Sequence, residues 1–229
     1  MSRIKRNIIL IFGIVCSLLC SSCFDMIEQI HVNTDGSGSI KSTFNFSENA
    51  TSAGLLMKFK SFHSINIPSK EEIKSNVEKT VLILKRTPGI TQVQYRLDLE
   101  KLILEISCQF NQVATLNDFT DAVSTQFKVP ISKFTSYQYD SKNKIYTRNY
   151  SYSTEAATYF NKLKEKYSDQ LKTASITSIT RFNSPILSQS NKLAHISGNQ
   201  RNVQLKIPFM QLLDNKATLS NTIKLTNTP

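Results

Sequence analysis

Four cysteines occur among the 229 residues, and Cys16, Cys20 and Cys23 all fall near the N-terminus. Cys23 has the setting that thiol acylation requires. Arg3, Lys5 and Arg6 make a basic start, Ile8 to Leu19 is almost continuously apolar, and Ser21-Ser22 places two small residues directly before the cysteine. The apolar run of about 12 residues is too short for a bilayer-spanning helix, which needs roughly 20. It suits the h-region of an export signal, which follows a positive n-region, and the basic residues orient the segment by staying on the cytoplasmic side. A thiolate can take up a diacylglyceryl group, and small residues before it leave the backbone open to a peptidase. Cys16 lies inside the apolar run and Cys20 follows two leucines, so both fit less well. Residues 1–22 are therefore read as a leader, and 23–229 as an exported body held through lipid on Cys23. Two or three acyl chains, at roughly 0.8 kcal/mol per buried methylene, hold a protein stably where one is marginal. An ordinary cleaved secretory signal and an uncleaved anchor are the alternatives.

Other chemistry is sparse. His31, His63 and His195 are far apart in sequence, whereas zinc ligands usually recur at short spacing. There is no Gly-x-Ser-x-Gly elbow, phosphate loop or dinucleotide fingerprint. Ser37 lies between two glycines, but in a hairpin turn, and Asp35-Gly36 lacks the acidic spacing of a calcium loop. The adjacent Glu71 and Glu72 point apart on a helix and suit capping. Cys108 alternates with aliphatic residues and reads as a buried, unpaired thiol, because a catalytic one needs a base and exposure. No catalytic residue, metal or cofactor is expected. Tyr137, Tyr139, Tyr146, Tyr150 and Tyr152 are the more suggestive group. Tyr137 and Tyr139 share one strand face, as do Tyr146, Tyr150 and Tyr152. Aromatic faces beside lysines can stack on sugars or settle at a headgroup layer, so the five form a candidate surface contact. The competing role is cross-strand pairing that stabilises a sheet.

Composition bounds the partners. Of the 28 Lys and Arg, three lie in the leader, against 17 acidic residues, which leaves the body at about +8. That balance could draw the protein to anionic lipid or polysaccharide, or serve solubility alone. The lysines are scattered and form no nucleic-acid arm, and nucleic-acid binding would conflict with export. With Cys23 acylated, Cys108 has no partner for a structural disulfide, so the core must hold by packing.

The elements that would carry these residues follow from periodicity. Ile27 to Val32 and Ile40 to Phe46 flank an Asp-Gly turn and predict a β-hairpin, because glycine takes the positive φ such turns need. A helix is expected over Ala50 to Phe62. Ser69 and Glu72 form a capping box, after which Ile73, Val77, Val81 and Leu84 recur at helical spacing until Thr87-Pro88-Gly89. Val93 to Leu99 and Leu102 to Phe110 alternate with period two, which marks a sheet with one covered and one wet face. Leu116 to Phe127 predicts a helix, Phe134 to Tyr139 and Lys144 to Tyr152 a third hairpin, and Thr154 to about Tyr167 another helix. The remainder reads as mostly β: Ile176 to Phe182, Ala194 to Ile196, Val203 to Ile207 and Leu219 to Leu225, with a short helix opened by Pro208. The order implies an α+β fold, an antiparallel sheet built from hairpins with helices packed on one face, as a single domain with a β-rich subdomain from about 170.

Cys20-Ser21-Ser22-Cys23 resembles the lipobox of signal-peptidase-II substrates in the loose form found in Bacteroidetes lipoproteins. That pattern prefers an aliphatic residue where Cys20 stands. The hairpin Asp35 to Gly38, the run Phe182 to Asn191 and the strand Val203 to Pro208 together look like uncharacterised lipoproteins of Bacteroidetes type. They are more remotely similar to mycobacterial LppM-type lipoproteins. The resemblance implies a helix-gripped sheet and lipid or glycolipid binding, and it carries over no functional residue. The expected function is a lipid-anchored, non-enzymatic envelope lipoprotein, leaning to the outer membrane, that binds a lipid, glycan or protein partner. Its rivals are an assembly subunit of an envelope complex and a hydrolase with dispersed active residues.

Overall fold

The computed structural model describes residues 25–45, 61–62, 65–66, 69–127 and 133–226. Cys23, the leader and most of the helix expected over Ala50 to Phe62 lie outside these. Its last two residues form β3 (Ser61–Phe62), which pairs with β4 (Ile65–Asn66).

The first hairpin joins β1 (Asp25–Val32) to β2 (Gly38–Asn45). Gly36 supplies the left-handed residue of its turn, at φ +88°. Helix α1 (Lys70–Arg86) opens on the expected box: the Glu72 amide donates to Ser69 Oγ at 3.1 Å, and the Ser69 amide to Glu72 Oε2 at 2.7 Å. β5 (Ile90–Asp98) and β6 (Ile103–Phe110) make the second hairpin, α2 (Thr115–Phe127) follows, and β7 (Thr135–Asp140) and β8 (Ile145–Tyr150) make the third. After α3 (Thr154–Leu171) come β9 (Ser175–Phe182), β10 (Ile186–Gln189), β11 (His195–Ile196), β12 (Asn202–Pro208), the short α4 (Phe209–Leu213) and β13 (Asn221–Leu225).

Two of the sheets dominate. Seven strands run in the order β11-β12-β9-β1-β2-β6-β5, and four run β10-β13-β8-β7. The fold is α+β, with one departure from the antiparallel expectation: β1 and β9 pair in parallel. β9 returns to the sheet only after α3, and a crossover of that length permits a parallel partner where a tight hairpin does not. Nor do the strands after residue 170 form a layer of their own. β9, β11 and β12 extend the large sheet, while β10 and β13 extend the third hairpin. β10 escapes the sequence because four residues between polar neighbours carry too little alternation to register.

The large sheet is asymmetric. Ile30, Val32, Ile40, Ile106, Cys108, Phe110, Ile176, Phe182, Val203, Leu205 and Ile207 alternate onto one face and are all buried. The four-stranded sheet covers this face at β9 and β1, where Tyr146 meets Phe182 edge-on at 5.5 Å. Helices α1 and α2 pack together beside β5 and join the same core through Leu84, Leu116, Phe119 and Val123. A smaller cluster of Phe134, Ala156, Phe160 and Leu213 holds α3 against α4. The opposite face of the large sheet carries Gln29, His31, Lys41, Gln109 and Arg181 and stays wet.

The turns of the β1–β2, β5–β6 and β7–β8 hairpins are each closed by an aspartate. Asp35 accepts from the Ser37 amide (3.0 Å) and hydroxyl (2.7 Å), Asp98 from the Glu100 and Lys101 amides, and Asp140 from the Lys142 and Asn143 amides and the Asn143 side chain. These bonds favour the charged form, so all three carboxyls titrate below the ordinary range, Asp35 chiefly through the Ser37 hydroxyl, Asp98 through the Lys101 amide and Asp140 through the Asn143 amide. A carboxyl whose folded pKa is depressed contributes stability above its unfolded pKa, near 3.9, and loses it as pH falls through the folded value. Chemical denaturation should therefore show stability flat from pH 7 to about 5 and falling below about pH 4. The D35N/D98N/D140N triple variant should show a shallower acid limb. An unchanged limb would remove the turns as its source.

Candidate functional site

Two places combine polar groups with unusual settings. The first is the third hairpin. Direct pairing of Tyr139 with Tyr146, Tyr137 with Arg148 and Thr135 with Tyr150 puts all of these side chains on one face of the four-stranded sheet, and that face packs on the large sheet. The tyrosines are therefore not a surface contact as a group. Tyr137 is 2% and Tyr146 1% exposed, and Tyr139 and Tyr150 are half-buried against the same core. Tyr152 lies just past β8, where its hydroxyl donates to the Leu213 carbonyl at 2.9 Å and its ring meets Phe160. The physical reason is register: facing residues of an antiparallel pair point to the same side, so the two sets of tyrosines merge onto one buried face. Tyr139 also lies over Gly36, where a Cβ would stand 2.9 Å from its ring. Burial pushes the hydroxyls of Tyr137, Tyr139, Tyr146 and Tyr150 above the ordinary phenol range. They are neutral at physiological pH.

At the centre of this interface lies a buried ion pair that the sequence does not announce. Arg148 Nη1 donates to Glu28 Oε1 at 2.8 Å, with both side chains under 10% exposed. Tyr137 donates to Glu28 Oε2 at 2.8 Å, and Ser178 donates to Oε1 at 3.1 Å while accepting from Arg148 at 3.1 Å. The guanidinium also lies 5.3 Å from the Tyr137 ring centre. Burial by itself lowers the Arg148 pKa, but the Glu28 carboxylate together with Tyr137 and Tyr146 more than offsets it, so the guanidinium stays charged. Both sheets contribute: β1 gives Glu28 and β9 Ser178, β7 gives Tyr137 and β8 Arg148. The arrangement is closed to solvent and its hydrogen bonds are mutual, so it acts as a clasp between the sheets.

The second place is the wet face. A depression of about 280 Å³ lies over β1, β2, β6 and β5, lined by Gln29, His31, Lys41, Gln94, Gln109 and Arg181, among others. A neighbouring one of about 490 Å³ shares His31, Ser39 and Gln109 with it and continues to Asn33, Gly89 and Asn111. Together they form one groove rich in amides and hydroxyls, with no carboxylate in its lining. β5 contributes a bulge, where its pairing with β6 shifts between Thr91 and Gln94 and Gln92 takes φ +51°. Bulges of this kind re-aim side chains. The rim is a relay: His31 Nε2 donates to Asn183 (2.7 Å), Asn183 to Asn33 (3.0 Å), Asn33 to Ser37 (2.9 Å) and Ser37 to Asp35 (2.7 Å). Two glycines shape the floor. A Cβ on Gly38 would overlap the His31 carbonyl oxygen, and one on Gly89, at φ +82°, would run into the Asn111 amide. The signal in the sequence was the polar half of the alternation, Gln92, Gln94, Ser107 and Gln109, which reads as an ordinary wet face until the bulge and hairpin turn give it depth.

The helix-covered side of the large sheet is filled by the core, and the groove lies on the opposite side. His31 and His195 both lie on the wet face, three strands or about 14 Å apart across the sheet, while His63 is outside the described residues. Among the described residues no three of His, Cys, Asp and Glu come together. Cys108 is buried, and burial pushes its thiol up to about 12. Among the described residues no helix is long and apolar enough to cross a membrane.

Fold and groove together define an α+β domain with a polar, acid-free channel on its open sheet face. No family model matches the chain, and no curated protein matches it. Among solved structures it is similar to the folded domain of LppM from Mycobacterium tuberculosis, determined by NMR. The TM-score is 0.48 and the identity 10%, over 90% of this chain and 91% of that one.

Proposed function

We propose that this chain is a lipid-anchored, non-enzymatic lipoprotein of the cell envelope that binds a hydroxyl-rich ligand, an oligosaccharide, in the groove on its open sheet face. The anchor reading rests on the order of Arg3 to Arg6, Ile8 to Leu19 and Ser21-Ser22-Cys23, and on its likeness to the Bacteroidetes lipobox. The observation that carries the ligand reading is the lining. Gln29, Gln92, Gln94 and Gln109 offer both donors and acceptors, and Arg181 adds donors, while Lys41 is paired with Glu105 at 2.9 Å and His31 donates to Asn183. Such a surface matches sugar hydroxyls and tolerates acidic sugars. It does not suit an acyl chain, whose burial gains nothing from unsatisfied amides.

Two measurements test the two halves separately. Cys23→Ser should abolish palmitate incorporation and move the protein from the membrane to the soluble fraction. Persistent labelling would overturn the anchor. For the groove, an array of neutral and acidic envelope oligosaccharides should show binding by the parent protein. Q94A/Q109A should weaken it by roughly tenfold per lost hydrogen bond, since about 1.4 kcal/mol is a factor of ten. Both residues are exposed, so melting should shift by no more than about 0.5 kcal/mol of stability. Equal retention of every sugar by parent and variant would overturn the ligand reading.

A further inference from the structure

The end of the large sheet that bears Asp25 differs from its other end in a way that alternation does not explain. Met26, Phe44, Leu104 and Leu97 stand side by side across β1, β2, β6 and β5. They point to the core face, yet all four are only half-buried. Two rows further along, Ile30, Ile40 and Cys108 are at most 3% exposed, as are Val32, Phe110 and Phe182 in the row after that. The β5–β6 turn at the same end adds half-buried Leu99, Leu102 and Ile103 beside exposed Arg96 and Lys101. One end of the sandwich thus shows a partly open apolar rim whose edge carries both basic (Arg96, Lys101) and acidic (Asp98, Glu100) residues, and the other is sealed.

Asp25 is the first residue of β1 and only two positions beyond Cys23. Two residues span at most about 7 Å. An acylated Cys23 therefore leaves no room for a flexible stalk, and the rigid sheet begins at the headgroup layer. We propose that this apolar end rests on the lipid surface, with Leu99, Leu102 and Ile103 among the headgroups and the strands of β1 and β2 rising away from the bilayer. The inference rests on the anchor reading above. The occupant is a lipid surface because the tether brings one there, the rim is apolar and the body carries about +8, which anionic headgroups attract. The orientation has a consequence for the groove. His31, Asn33, Gly38 and Asn111 lie at the far end of strands of eight residues, so this end of the groove opens roughly 25 Å from the membrane, presented outward to a polymer.

The chain contains no tryptophan, so a single introduced one is a clean reporter. Acylated full-length protein carrying Leu99→Trp or Lys101→Trp is placed on phosphatidylethanolamine–phosphatidylglycerol vesicles whose acyl chains are brominated near the headgroup. Lys101 is exposed, so its replacement leaves packing untouched if Leu99→Trp impairs folding. Gly198→Trp reports on the opposite end, where a side chain would meet nothing within 4 Å. Both rim tryptophans should lose most of their emission and shift to the blue, while Gly198→Trp should match its emission on unbrominated vesicles. If the protein sediments with the vesicles but rim and far-end reporters are quenched alike, the orientation is wrong and the anchor stands. If it does not sediment at all, the anchor reading fails and this inference falls with it.

Discussion

Arg148→Ala should destabilise the protein by about 3–5 kcal/mol, the cost of stripping one partner from a buried ion pair. The substitution leaves the Glu28 carboxylate desolvated between two sheets, with only Tyr137 and Ser178 donating to it. It also removes the guanidinium beside the Tyr137 ring, a contact worth about 0.5–2 kcal/mol. For a domain of this size a loss of 1 kcal/mol lowers the midpoint by roughly 2–4 °C, so thermal unfolding should shift down by about 10 °C. The pair itself is not the source of net stability, because desolvating two charges offsets most of their attraction. The triple variant E28L/R148M/Y137F should therefore melt within a few degrees of the parent. Two results would sink this account. One is Arg148→Ala melting like the parent, which would mean the carboxylate finds water. The other is a triple variant as unstable as the single, which would make the polar clasp indispensable.

Gly38→Ala should cost about 3 kcal/mol, the upper end of the usual 1–3 kcal/mol range for overpacking. An added methyl would overlap the His31 carbonyl oxygen across the β1–β2 pair and stand 2.7 Å from Phe110 Cζ. One of those neighbours is backbone, held on its other side by the parallel β9, so relief requires separating strands rather than rotating a side chain. Gly38 also lies in the groove floor between Asn33 and Phe110, and the same shift should weaken oligosaccharide binding. Gly198→Ala is the control. It sits in open space and should change stability by no more than about 0.5 kcal/mol. A comparison of the two by urea denaturation decides the matter. Equal midpoints would show that the hairpin opens without cost.

What could be read from the residues in order was whatever depends on neighbours in the chain. The Ser69–Glu72 box, the Asp35-Gly36 turn and the α1 stripe of Val77, Val81 and Leu84 are local chemistry, and they appear where periodicity and capping put them. The alternation of Ile106, Cys108 and Phe110 placed the thiol inside correctly. The expectation of a leader ending at Cys23 rests on the same kind of linear pattern.

Long-range pairing decided the rest. The parallel junction of β1 with β9 joins residues 150 positions apart, such as Asp25 and Ser175. No local pattern encodes which strand a segment will meet, because loop closure costs almost the same for many competing partners. The same register put Glu28, a plain polar residue on the first strand, opposite Arg148 and turned the tyrosine face inward. It also left the groove on the wet face. An amide that alternates toward solvent reads alike on a flat sheet and in a groove, and only the bulge at Gln92 and the turn above Gly38 give that face its depth.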